Sequence, residues 1–107
     1  MIVYYTLKGG KIMKLKTQEN IRALELLAYC NLKTETYEDA LLYIDRAIEA
    51  APYEANYYDF KGEILLLVGD TKNAKLMWDK VIELDNNFLQ THQSVLYEKL
   101  KEKNMVK

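Results

Sequence analysis

Cysteine, proline and glycine are scarce in this chain: one, one and four among 107 residues. A single thiol, Cys30, cannot form a disulfide within the chain, which fits a reducing compartment and leads us to expect a cytoplasmic protein. So little proline and glycine argues against an all-β fold, whose many turns use both. No apolar run approaches the roughly 18 residues that a membrane span needs. The opening MIVYYTLKGGKIMK has no basic stretch ahead of its short apolar run, so no secretory signal is expected. An excess of one charge is missing as well, since the net charge is −1. The charge is unevenly spread, however: residues 1–20 hold four lysines and Glu19, net +3, and the remainder is net −4.

The groups that catalysis draws on are equally sparse. His92 is the only histidine, and it falls on an apolar stripe, where a packing role is expected. Cys30 has no histidine near it in sequence and reads as a buried or half-buried structural thiol. No paired Cys or His residues have metal-ligand spacing. KGGK lacks the spacing of a phosphate loop or a dinucleotide fingerprint. We therefore expect no enzyme, no cofactor and no metal.

What the chain does have is a folded protein's composition, half apolar and 29% charged, and an internal period. A shift of 34 residues aligns IRALELLAYCNLKTETYEDALLYIDRAIEAAPYE (21–54) with ANYYDFKGEILLLVGDTKNAKLMWDKVIELDNNF (55–88) without a gap. Leu32/Leu66, Ala40/Ala74, Asp45/Asp79, Ile48/Ile82 and Glu49/Glu83 are identical pairs. Each unit reads as two helices. In the second, Tyr58, Leu65 and Leu66 and then Ala74, Met77, Trp78, Val81 and Ile82 have helical spacing. Gly69 suits the left-handed end of one helix, and Asp70, like Thr36 in the first unit, suits the cap of the next. Pro52 and Asn86-Asn87 mark the two stops. Gly62 costs about 1 kcal/mol relative to alanine within a helix. Its expected return is a close approach of the paired helices, Gly62 against Ala74 and Ala28 against Ala40.

These positions resemble the tetratricopeptide repeat, a 34-residue helix-turn-helix unit. Its marks fall on Leu24, Ala28, Asn31, Glu35, Ala40, Ile44, Ala47 and Pro52 in unit one. In unit two they fall on Tyr58, Gly62, Leu65, Gly69, Ala74, Trp78, Val81 and Asn86. The resemblance implies an all-α solenoid forming a single domain over residues 1–107. Two repeats, 21–54 and 55–88, would be followed by a capping helix over 89–103. The stripe Phe88, His92, Val95, Leu96, Lys99 and Leu100 would face the last repeat.

The first sixteen residues fall outside the period. Ile2 to Leu7 is β-branched and aromatic, and Gly9-Gly10 suits a two-residue turn, so a β-hairpin is expected, with a disordered leader as the alternative. A hairpin alone is marginal in water. It would have to cover the open end of helix 18–33 with Val3, Tyr5, Leu7 and Ile12, or leave that end to a second copy.

First helices of successive units line a concave surface in proteins of this kind. The resemblance thus stacks Arg22/Asn56/Gln90, Glu25/Asp59/Gln93 and Tyr29/Glu63/Tyr97 into ladders, extended by Lys33 and Leu67. Tyrosines among carboxylates suit a partner peptide or protein with basic and apolar side chains. Some family members clamp the C-terminal carboxylate of heat-shock chaperones with Lys and Asn at such places. Glu25, Tyr29, Asp59 and Glu63 stand there instead, so a carboxylate ligand is not expected. The reading is a non-catalytic protein-interaction module with candidate contacts Arg22, Glu25, Tyr29, Lys33, Asn56, Asp59, Glu63, Leu67, Gln93 and Tyr97. The alternative is a homodimer through the hairpin and the open repeat end. A third reading is nucleic-acid binding through Lys8, Lys11, Lys14 and Lys16.

Overall fold

The computed structural model describes the backbone of residues 2–6 and 12–107 and the side chains from Asn20 onward. Among the described residues six helices pack together: α1 (Thr17–Lys33), α2 (Tyr37–Ala50), α3 (Ala55–Leu67), α4 (Thr71–Leu84), α5 (Phe88–Thr91) and α6 (Val95–Glu102). The backbone of β1 (Ile2–Thr6) is paired antiparallel with β2 (Ile12–Lys16), Tyr4 opposite Lys14. The turn between them and the side chains of Val3, Tyr5, Leu7 and Ile12 lie outside the described residues, as do those of the four lysines. The expected hairpin, as a cover for α1, therefore gains no support. None of the described helices is long and apolar enough to cross a membrane.

The 34-residue offset governs the helix pairs. Each of α2 and α4 has fourteen residues, and α4 begins and ends 34 positions after α2. α1 and α3 likewise end 34 apart, at Lys33 and Leu67. Both ends close the same way. The N–H of Thr36 donates to Asn31 O (2.8 Å) and that of Glu35 to Leu32 O (3.1 Å). In the second pair Asp70 N–H reaches Leu65 O (2.8 Å) and Gly69 N–H reaches Leu66 O (3.0 Å). This pair of hydrogen bonds satisfies carbonyls that a helix end otherwise leaves open, and it needs a left-handed residue. Gly69 supplies that at φ +87°. Glu35 is forced into it at φ +62°, a conformation that opposes its Cβ.

Packing follows the repeat too. Ala28, Ala40, Ile44 and Ala47 are buried in one cluster, and Ala74, Trp78 and Val81 in the other. Tyr57, Phe60 and Ile64 of α3 pack into the first cluster, while Tyr58 and Leu65 join the second. α3 thus serves both clusters and joins the pairs. The Tyr58 hydroxyl also donates to Pro52 O (2.7 Å), and Lys61 pairs with Asp45 at 2.7 Å.

Three expectations change here. First, the capping segment is not one helix, because residues 92–94 are non-helical and separate α5 from α6. In strict repeat register Glu98 would take the place of buried Ile64. The break lets α6 turn Leu96 and Leu100 inward instead, and Glu98 stays exposed. Of the expected stripe, Phe88, Leu96 and Leu100 are buried, whereas Val95, Lys99 and His92 are exposed, with the His92 ring stacked 4.2 Å from that of Phe88. Second, Gly62 is explained by α6. A Cβ there would meet Leu96 Cδ2 at 2.3 Å, so the missing side chain makes room for a leucine of the last helix. Third, Thr36 does not cap α2 with its side chain. Its hydroxyl turns to Asn31 instead (Oδ1 at 2.5 Å), whereas Asp70 accepts from Asn73 N–H at 3.2 Å.

Candidate partner-binding face

The residues singled out on α1 and α3 fall into two groups. Near the start of α3, the charges of Glu25 and Arg22 both act on the hydroxyl of Tyr57. Burial pushes that phenol up, with Glu25 and then Glu54 adding to the shift and Arg22 opposing it. Further along, Asp59 and Glu63 stand one turn apart on α3, both half-buried. Burial lifts the Asp59 carboxyl above the ordinary range; a hydrogen bond from Ser94 (2.5 Å) and the charge of His92 act against it. Burial, followed by the neighbouring charge of Asp59, raises Glu63 as well, and Lys33 counters it from the end of α1. Two carboxylates held this way carry a desolvation cost that a cation brought alongside would offset.

Tyr29 and Lys33 sit one turn apart and exposed on α1, with the ammonium 5.2 Å from the ring centre. Leu67, 51% exposed, closes the α3 row with an apolar surface. The structure therefore brings Lys33, Glu63 and Asp59 together and sets Arg22 and Glu25 around Tyr57.

The remaining candidates are placed otherwise. Asn56 is exposed and donates to Glu54 Oε1 at 3.3 Å. Gln93 lies in the break between α5 and α6, exposed. Tyr97 turns toward the C-terminal core: its ring centre is 5.2 Å from that of Trp78, and its hydroxyl donates to Lys107 O at 2.6 Å.

Sequence reasoning missed Tyr57, His92 and Ser94 as members of this face. Ser94 had a readable signal, since a serine directly before an apolar run is a helix-start pattern. Its hydroxyl caps α6 by accepting from Tyr97 N–H (2.9 Å) while donating to Asp59. One small side chain thus starts the last helix and ties it to the face. Tyr57, one of two adjacent tyrosines, gave no comparable signal.

Among the described residues no three His, Cys, Asp or Glu side chains are grouped to hold a metal ion. Cys30, expected buried or half-buried, is exposed, as are Ala23, Leu26 and Leu27 on the same side of α1. A scan against protein-family models matches none, and no curated protein matches the chain.

Proposed function

We propose that this chain is a tetratricopeptide-type repeat protein that binds an extended or helical protein segment along α1, α3 and the start of α6, without catalysis. The partner's chemistry is basic and apolar. One observation carries the reading: Asp59 and Glu63 are half-buried side by side, both with raised pKa values. A lysine or arginine of a partner would stabilise their ionised form in a partly desolvated setting, where charge-assisted hydrogen bonds are strong. Tyr29 and Leu67 supply apolar surface at the edge of the same face. Helices seated on a shared core need little reordering, so the conformational cost of binding falls mainly on the partner.

The test is selection of peptides from a random display library on the whole protein and on an Asp59→Asn/Glu63→Gln variant. Selection on the wild type should enrich Lys and Arg beside apolar residues, and the variant should lose that enrichment. Equal enrichment on both, or peptides rich in acidic residues, would remove this face as the binding surface.

A further inference from the structure

On the outer side of α1, Leu26 and Leu27 are 62% and 42% exposed, and Ala23 and Cys30 are exposed between them. Helical spacing puts these four on one side, opposite Ala28, which faces the core. Thirty-four residues later the same positions are Tyr57, Phe60, Lys61 and Ile64. Tyr57, Phe60 and Ile64 pack into the core that α3 shares with the first helix pair, and Lys61 pairs with Asp45 of α2. The outer side of α1 is therefore the repeat's own docking face, shown at work in α3 and left open in α1.

We propose that two copies of this chain pair about a two-fold axis through this face of α1. The second copy follows from what the other end of the array does. There the surface of α3 and α4 that could receive such a face is already occupied by α6, with Leu96 filling the space over Gly62. Head-to-tail stacking, which would run on without closing, is thereby blocked. Each copy leaves this face of α1 exposed, the same on both, and like faces meet in a closed two-fold contact.

Charge permits it. Asn20, Ala23, Leu26, Leu27, Cys30 and Thr34 bring no ionisable group other than the thiol to this side. Glu19 continues the stripe at the first turn of α1 by sequence position, and an antiparallel pairing centred on Leu26 and Leu27 sets position 19 opposite position 34 of the other copy, a threonine, so no like charges meet. Contact through one helix face per copy is at the small end for specific complexes, so association is expected at micromolar concentrations. Arg22, Tyr29 and Lys33 lie beside the stripe on the partner-binding side of α1. The pair therefore presents that face twice, and a partner with two binding segments gains avidity.

Sedimentation equilibrium of the full chain, from a few to a few hundred micromolar, tests this. The mass should rise from one chain to two and stop. A Leu26→Glu/Leu27→Glu variant, altered only at exposed positions, should keep its helical circular dichroism while its dimer weakens by roughly a hundredfold or more. A short bismaleimide should join wild-type chains through Cys30, their only thiol, and the variant far less. A wild type that stays single throughout, with α1 covered by residues 1–16 of its own chain or by water alone, overturns the proposal. So does growth beyond two, or a variant that pairs as tightly as the wild type.

Discussion

The two helix pairs of this protein share closures, buried positions and the length of their second helices, yet they reach the same geometry with unequal local chemistry. Unit two has glycine at its left-handed turn and a working aspartate cap. Unit one has Glu35 at φ +62° and a threonine whose hydroxyl serves Asn31 instead. The helix packing is nevertheless equivalent, with Ile44 and Trp78 buried at matching places. Burial along α2 and α3 is worth more than the strain at one residue, so the tertiary core holds a turn that its own sequence disfavours. Unit two differs again at its far side, where Gly62 gives way to α6 while Ala28 keeps its methyl group.

That contrast can be broken most forcefully at α6. Leu96 is fully buried, so Leu96→Ala should cost about 2–5 kcal/mol in denaturant unfolding. Gly62→Ala should cost about 1–3 kcal/mol from overpacking, set against about 1 kcal/mol of helix propensity regained. In the Leu96→Ala background the same substitution should become stabilising, since the clash is gone and the propensity gain remains. Additive losses in the double variant would show that Gly62 serves some other contact.

The turns give a smaller and opposite pair of effects. Gly69→Ala should destabilise by about 1 kcal/mol, because its φ is unfavourable to any Cβ even in open space. Glu35→Gly should stabilise by about 0.5–1 kcal/mol by relieving the strain that the first unit tolerates. Thermal or urea unfolding reads both, and a loss on Glu35→Gly would mean that the glutamate makes a contact worth more than its strain.

The smallest effect concerns pH. Asp59 and Glu63 have raised folded-state pKa values, so the folded protein holds protons that the unfolded chain gives up. Their contribution to stability is fully present below the ordinary carboxylate pKa of about 4 and is lost as pH rises through the raised values. An Asp59→Asn/Glu63→Gln variant, which keeps an acceptor for Ser94, should gain on the wild type as pH rises from about 4 to neutral. Unfolding midpoints of the two proteins across that range measure the gap. A gap that stays constant with pH would show that burial does not strain these carboxyls.

Much of the helix-pair architecture was legible beforehand, since Asp70, Gly69 and the small-residue positions Ala28, Ala40 and Ala74 carry local signals whose spacing repeats. The face was legible in part. Asp59, Glu63 and Lys33 fell near one another, as neighbouring places on the first helices of the two units, whereas Glu25 went with Arg22 to Tyr57. Asn56 and Tyr97 found partners elsewhere, and Tyr57 and Ser94 went unread, because those choices depend on how far each helix is turned against its neighbour.

Sequence alone determined that two helix pairs follow each other 34 residues apart and where the turn of the second pair falls, because turn residues, the Asp70 cap and the apolar period act over one or two turns of chain. Only tertiary structure decided that the last segment breaks at 92–94, that Gly62 makes room for Leu96, and that Asp59 and Glu63 sit with raised pKa values. Each of these is a property of two surfaces pressed together, where volume must be filled once and a charge loses water to whatever covers it.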